Sequence, residues 1–211
     1  MNHSVGNTAR LLGAGLRALL ALTVLCGVLY PLAVTGVAQA AFTDRANGSP
    51  VKDGNGRAVG SALIGQGYGG DLHWFQPRPS AGLGENTVNT RYELLVSGAS
   101  NKAADNPELV EAVKETKAKV LADNTVPGYT PTAGQVPADA VTSSGSGLDP
   151  HVSPAYAALQ VHRVAYLNAL PVERVRALVE EHTEGRTLGF MGEPRVNVLE
   201  LNVALEALTR G

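Results

Sequence analysis

The sequence is poor in cysteine, in aromatic residues and, over its first 43 residues, in acidic side chains. Its one cysteine, Cys26, excludes a disulfide within the chain, so a folded domain must rely on its apolar core. Only 5% of the residues are aromatic, whereas there are 24 glycines and 12 prolines, which predicts a loop-rich domain with a modest core. The net charge of -2 and the lack of a basic patch argue against a nucleic-acid partner.

The acid-free N-terminus contains a long apolar run. Ala18 to Ala38 carries no charge, and as a helix these residues extend about 31 Å, close to the hydrocarbon thickness of a bilayer. We therefore expect a short tail at 1–17 and a transmembrane helix at 18–40. Pro31 lies inside this run and removes a backbone donor, which predicts a kink near Tyr30.

A cleaved signal peptide is the alternative, because "AQA" at Ala38 to Ala40 has the small-x-small form of a cleavage site. The run is longer than the roughly 7 to 15 apolar residues of a signal peptide, which favours a retained membrane helix. Cys26 follows Leu25, whereas a lipidation signal generally has a small residue there, so lipid attachment is not indicated.

The orientation of the helix does not follow from basic residues, since Arg10 and Arg17 precede it and three basic residues follow it within about twenty positions. Long C-terminal domains translocate largely regardless of charge. We expect a cytoplasmic N-terminus and an extracytoplasmic main domain in the cell membrane.

The remaining residues predict a mixed α/β (α+β) domain at 58–211 behind a polar linker at 41–57. Residues 44–57 indicate either a flexible linker or an exposed hairpin, Arg57 to Gln66 a strand, and 67–89 an irregular loop. "PADAVTSSG" at 137–145 is interpreted as a strand and a turn. Four helices are predicted from apolar periodicity and caps, at Pro107–Ala122 with Asn106 as its cap, Pro154–Ala169, Pro171–His182 and Val198–Leu208. Arg195 to Asn202 fits either a strand or a helix, and a capping box of Asn197 and Glu200 favours the helix.

The polar stretch "TSSGSGLDPHVSPAYAALQ", Thr142 to Gln160, has three functional interpretations. It has no GxSxG elbow for a hydrolase, so no catalytic residue is assigned. Asp149, His151 and His162 lack the spacing of a metal site, so no metal ligand is assigned, and His162 is expected to pack in the core. "SSGSG" resembles a nucleotide cradle only weakly, with Ser144, Gly145, Ser146 and Gly147 as its candidate residues.

A loop leading into a helix accounts for the same stretch without a ligand. Gly145 and Gly147 permit positive φ angles, Asp149 starts a turn, and Ser153 caps a helix that Pro154 opens. This interpretation is favoured over the functional ones.

A second unusual stretch is "WFQPRPSA", Trp74 to Ala81. Trp74 and Phe75 can plug a small core, whereas Arg78 between two prolines suits docking to carboxylate or carbonyl groups of a partner. Partner-docking candidates are Trp74, Phe75, Arg78 and Ser80, together with Gln66 from "GSALIGQGY".

These segments, with "YPLAVTGVAQ", "VPADAVTSSGSGLDPHVSPAYAALQVHRVA" and "GEPRVNVLELNVAL", resemble the C subunit of the bacterial Kdp potassium-transporting P-type ATPase. The resemblance runs from Tyr30 to Leu205. The chain departs from the family pattern at "SGASNKAADNP", Ser97 to Pro107, where something like SGGSNLGPSNP is expected.

The resemblance implies an accessory subunit that is no enzyme on its own. Its partners would be a channel-like subunit, a P-type ATPase subunit, a small single-span subunit and membrane lipid. Potassium would be the transported ion, and ATP would be involved through the ATPase subunit, with no tightly bound cofactor here. The family is described as a catalytic chaperone that raises the ATP affinity of the ATPase subunit, and a glutamine linked to that role matches Gln160.

Gln160 and Arg163 are expected on the outward face of their helix, as nucleotide or coupling residues. ATP is cytoplasmic, however, and the main domain is expected on the other side of the membrane. Assembly and allosteric coupling are therefore favoured over direct ATP binding. Without the resemblance, the alternative is a tethered or secreted extracytoplasmic binding protein.

Overall fold

The computed structural model describes residues 3–80 and 97–210, and it divides into two compact units, Met1–Ser49 and Pro50–Gly211. The predicted irregular loop at 67–89 has no helix or strand as far as Ser80, and its remainder lies outside the described residues.

The first unit is dominated by one long apolar helix. Helix α1 (His3–Val24), a π-helical segment (Leu25–Leu29) and helix α2 (Tyr30–Ala41) follow one another without a break. The stretch Gly6–Ala41 has a mean hydropathy of 2.1 in its most apolar window, of which 0% is buried. Its length and composition suit a membrane span.

The helix is disturbed immediately before Pro31. The N–H of Tyr30 bonds the carbonyl of Leu25, five residues back, and Pro31 has no N–H to continue the regular pattern. A π-helical turn therefore lies immediately before the position where a kink is predicted, and such turns are known sites of helix bending. After α2, a single helical turn, α3 (Thr43–Ala46), is joined to it by the bond from Thr43 Oγ1 to the Gln39 carbonyl, 2.7 Å.

The second unit begins with an antiparallel hairpin of β1 (Pro50–Lys52) and β2 (Ala58–Ser61). Asp53 organises its turn, because its Oδ1 accepts from the N–H groups of Asn55 (3.0 Å) and Arg57 (2.9 Å). These donors, that of Arg57 first, hold the pKa of Asp53 below its ordinary value. Of the two alternatives for 44–57, the hairpin is thus confirmed for the second half of this range, and the flexible linker is wrong there. The strand predicted from Arg57 to Gln66 is present but ends at Ser61.

A small antiparallel sheet lies further along the chain, in the order β3 (His151–Val152), β5 (Arg195–Asn197), β4 (Thr183–Glu184). Val152 pairs with Val196, and Val196 also pairs with Thr183. Both valines are buried, so this sheet turns one face to the core.

The four predicted helices are all present, as α4 (Pro107–Asp123), α5 (Pro154–Leu167), α6 (Val172–Glu181) and α7 (Val198–Arg210). The predicted caps are confirmed. Asn106 Oδ1 accepts from Glu108 N at 2.9 Å, and Ser153 Oγ accepts from Tyr156 N at 3.1 Å. Asn197 Oδ1 likewise accepts from Leu199 N at 3.1 Å.

The core lies between α5, α6, α7 and the three-stranded sheet, with Phe75 fully buried among them. Helix α5 contributes most because it is covered on several sides, whereas α4 buries only Val120. The domain therefore mixes helices and short strands, as predicted.

Two predictions are wrong in this region. In 137–145 the predicted strand is wrong, since Ala138–Ala140 form a 3-10 turn, whereas the predicted turn is present. The Asp139 carboxylate in this turn accepts from Ser153 N at 2.7 Å and from Ser153 Oγ at 2.9 Å. His162 is predicted in the core, but it is only half-buried. Its ring stacks on that of Tyr129, with the ring centroids 3.9 Å apart.

Candidate functional site

Residues 72–80, here called the Trp74 segment, run through the second unit without forming a strand. Phe75 is fully buried, so water does not reach its backbone N–H and carbonyl groups. These groups therefore need hydrogen-bond partners within the protein. Asn202 on α7 provides both: its Oδ1 accepts from Phe75 N at 2.9 Å, and its Nδ2 donates to Phe75 O at 3.0 Å. These two hydrogen bonds explain why an asparagine, Asn202, occurs on the apolar face of α7.

Gln160 on α5 repeats this arrangement one residue further along. Its Oε1 accepts from Gln76 N at 2.7 Å, and its Nε2 donates to Gln76 O at 3.1 Å. Two side-chain amides thus satisfy two consecutive backbone positions, as a neighbouring strand would.

Arg163 lies one helical turn from Gln160 and is 1% exposed. Its Nη2 donates to Gln160 Oε1 at 2.6 Å, and its Nη1 donates to the carbonyls of Trp74, at 3.0 Å, and Leu72. Its Nε donates to Asn124 Oδ1 at 3.0 Å, just past the end of α4. One guanidinium therefore joins α5, α4 and the Trp74 segment.

Burial determines the electrostatics of this cluster. It lowers the pKa of Arg163 to about 10, so the guanidinium stays charged at neutral pH. It raises the pKa of the neighbouring Tyr156 to about 12. Among residues 3–80 and 97–210, no carboxylate lies within ion-pair distance of Arg163, so carbonyl oxygens compensate its charge.

The prediction that Gln160 and Arg163 face outward is wrong. Gln160 is 0% exposed, and its amide groups are engaged by Gln76 and Arg163. The helical pattern did not separate the faces of α5 because small alanines, Ala155 and Ala158, take its exposed side.

The far end of the Trp74 segment is bound to the loop that follows the 3-10 turn. Arg78 Nη1 contacts Asp149 Oδ2 at 3.2 Å, and its Nη2 donates to the Ser143 carbonyl at 3.3 Å. Ser80 Oγ donates to the Gly147 carbonyl. The two docking candidates Arg78 and Ser80 thus already have partners within the chain.

The other docking candidates are also within the fold. Phe75 is in the core, Trp74 is half-buried with its ring 6.3 Å from that of Tyr68, and Gln66 Nε2 donates to the Val59 carbonyl at 3.3 Å. The expectation that Trp74 and Phe75 plug the core is confirmed for Phe75, with Trp74 packed against its edge.

The serine-rich loop organises itself. Ser144 Oγ and Ser146 Oγ are 3.3 Å apart, Leu148 N donates to Ser146 Oγ at 3.1 Å, and Asp149 N donates to Ser144 Oγ at 3.4 Å. Gly147 has a φ of 68°, as predicted, whereas Gly145 is not among the positive-φ residues. The loop interpretation accounts for these contacts.

A cleft of about 400 Å³ opens beside the cluster, between the Trp74 segment, the glycine-rich residues 67–70 before it, α4 and α5. Arg163 and Asn124 form part of its wall, and Lys119 on its rim is paired with Asp123. In the described parts of the chain, no group of three or more His, Cys, Asp or Glu side chains is placed to hold a metal ion. The arrangement positions the backbone of the Trp74 segment and joins it to α4, α5 and α7.

Sequence reasoning missed Asn124, Asp139, Asn168 and Asn202, although each has a role in these contacts. Asn202 could have been recognised in the sequence, because it is a polar residue at a core position of α7, between Val198 and Leu205. No sequence pattern indicates the role of Asn168, because its partner is 95 residues away. Asn168 Nδ2 donates to the His73 carbonyl at 2.9 Å.

Comparison with known proteins gives a consistent result along the whole chain. The family model "K+-transporting ATPase, c chain" matches residues 12–207. A potassium-transporting ATPase KdpC subunit of Streptomyces coelicolor is 62% identical, with 99% of this chain and 97% of the relative covered. Relatives of the same name from Streptomyces avermitilis (60%; 99% and 98% covered) and Caulobacter vibrioides (48%; 88% and 87% covered) also match.

Proposed function

The chain belongs to the KdpC family, the C chain of the potassium-transporting ATPase, and from this we propose that it is a non-catalytic subunit that acts through assembly and its membrane helix. Its partners would be the channel-like, ATPase and small single-span subunits of the complex.

The observation that carries this proposal is the internal use of Gln160 and Arg163. A residue that contacts nucleotide must offer free donors or acceptors, yet these two side chains are buried and bonded to the Trp74 segment. They would affect the ATPase by keeping the domain folded. The ATP-affinity effect attributed to the family would then be a conformational coupling between subunits.

Ser144, Gly145, Ser146 and Gly147 fit the same account. Their loop holds Arg78, which in turn fixes the end of the Trp74 segment. We assign this loop to the fold, with ATP bound by the ATPase subunit alone.

Nucleotide labelling tests this proposal. The purified complex is irradiated with a photoreactive ATP analogue, and the labelled chains are separated by mass. We expect label on the ATPase subunit and none on this chain, while removing this chain from the complex raises the KM for ATP. Label on residues of the 144–163 region that excess ATP prevents would contradict the proposal.

We further propose that the N-terminus is cytoplasmic and the second unit extracytoplasmic. Cysteine labelling is well suited to this test, because Cys26 is the one native cysteine. In a Cys26→Ser background, Thr209→Cys in intact cells is expected to react with a membrane-impermeant maleimide. Asn7→Cys is expected to react only after the cells are opened, and the reverse pattern would contradict this orientation.

A further inference from the structure

The loop between β4 and β5, residues 185–194, presents three large apolar side chains to solvent. Leu188 is 78% exposed, Phe190 72% and Met191 47%. In the described part of the second unit, the other exposed large apolar residues are at most two together, at Leu63 and Ile64. Clusters of this kind mark interaction sites more often than isolated exposed residues do.

The 185–194 loop has a defined backbone. Thr187 N donates to Met191 O at 2.9 Å, and Met191 N donates to Thr187 O at 3.0 Å. Leu188 has a φ of 55°, a conformation that a leucine rarely adopts. A preformed loop loses little conformational entropy when it docks, which suits an anchor at an interface.

The charges beside the 185–194 loop are balanced. Arg186 pairs with Glu193 at 2.9 Å, and Arg195 pairs with Glu184 at 2.8 Å. Segments that bind anionic lipid carry an excess of Lys and Arg, which this loop does not have. Methionine and aromatic residues with arginine nearby are instead typical of protein interfaces.

The size of the apolar cluster limits what it can hold alone. Three such side chains offer roughly 400 Å², whereas a stable interface buries about 800 Å² on each partner. A second copy or a soluble partner would need more contact than this. A partner in the same membrane is already kept at a high effective concentration by the apolar helix, so a small anchor is enough.

We propose that the 185–194 loop docks into an apolar recess on the outer side of a membrane-embedded partner chain of the ATPase. This inference rests on the proposed function. Leu188 and Phe190 are the inserted side chains, with Met191 at the edge.

The test compares a Leu188→Asn, Phe190→Ser double variant with a Leu63→Asn control, which alters another exposed apolar residue, at 62%. Asparagine tolerates the left-handed conformation of position 188, and the altered side chains have few contacts to lose, so both proteins should fold. Tagged complexes are immobilised in mild detergent, and release of the partner chains is followed in time.

We expect release from the double variant to be at least ~10-fold faster than from the unmodified chain, and release from the control to stay within about twofold. Equal release rates, with the unmodified chain retaining its partners, would overturn the inference alone. An unmodified chain that retains no partner would overturn the proposed function and the inference with it.

A photoreactive phenylalanine analogue at position 190 then identifies the occupant. A covalent product with a membrane-embedded partner chain supports the proposal. A product with lipid or with a second copy of this chain overturns it.

Discussion

At the level of single residues, Gln160, Asn202 and Arg163 do for the Trp74 segment what an adjacent strand does in a sheet. They satisfy buried backbone groups that would otherwise cost about 1–3 kcal/mol each. A glutamine in "LQVHRVA" is easily noticed in the sequence, but its partner at Gln76 is 84 residues away. Such a pairing follows only from the three-dimensional fold.

Replacing Gln160 by alanine tests this structural role. Gln160→Ala leaves the N–H and carbonyl of Gln76 and one Arg163 donor without partners, so we expect the free energy of unfolding to fall by about 3 kcal/mol. Gln135→Ala is the control: it also removes a glutamine that accepts hydrogen bonds, from Thr132 N and Oγ1, but at an exposed position where water replaces them, so it should cost only about 1 kcal/mol. Denaturant titration of the detergent-solubilised chain measures both.

A contrary result would be informative. If Gln160→Ala kept its stability but abolished the effect of the chain on ATP hydrolysis, Gln160 would contact another molecule and the structural assignment would be wrong.

The raised pKa of Tyr156 predicts a dependence of stability on alkaline pH. Its pKa is about 12 when folded and 10.0 ordinarily, so the unfolded chain loses this proton first as the pH rises. The stabilisation is complete below pH 10 and is lost as the pH rises through 12. Relative to Tyr156→Phe, the unmodified chain should lose roughly 2 kcal/mol across this window.

Arg163 titrates beside Tyr156 and acts in the opposite direction. Burial lowers its pKa, and because the two groups interact, the comparison with Tyr156→Phe reports the tyrosine together with its coupling to Arg163. Unfolding curves at pH 9, 10.5 and 12 are the measurement, and a constant difference between the two proteins would refute the prediction.

At the level of elements, hydrogen bonds between residues close in the sequence could be predicted, whereas those between distant residues could not. The caps Asn106, Ser153 and Asn197 each accept a hydrogen bond from a backbone N–H two or three residues further along the chain. Their helices could therefore be located from the sequence. The strand predicted at 137–145 failed because Asp139 bonds Ser153 instead, fourteen residues away. The buried side of α5 was misassigned because alanine marks neither face.

Close packing of two loops predicts a specific steric effect at Gly65. A Cβ atom there would lie 2.6 Å from the carbonyl oxygen of Asp149, and Gly65 N also donates to Leu148 O at 2.8 Å. Gly65→Ala must push the backbone of the 142–149 loop away, and we expect it to cost about 2 kcal/mol of stability.

Gly134→Ala is the matched control, since a Cβ atom at Gly134 meets nothing within 4 Å. Both variants replace one glycine by alanine, Gly65 in a loop and Gly134 in a short 3-10 turn, so the entropy of the unfolded chain changes similarly. Equal melting temperatures for the two variants would show that the 65–149 contact is not tight.

At the level of the whole molecule, a long apolar helix precedes a compact domain whose polar interior is committed to its own fold. The helix and the mixed domain could be predicted from hydropathy and periodicity. The candidate site could not, because spacing suggested free polar groups where the fold uses them internally. Membership of the KdpC family supplies the context in which these two parts act, as a subunit of a potassium-transporting ATPase.

The most direct measurement is co-purification of activity with the intact chain. A C-terminally tagged chain is extracted in mild detergent from membranes of potassium-starved cells, and potassium-stimulated ATP hydrolysis and the intact mass of the chain are measured. We expect the activity to co-purify with a chain that retains its N-terminal helix. A chain that is isolated alone, or that lacks residues 1–40, would contradict its role as a membrane-anchored subunit.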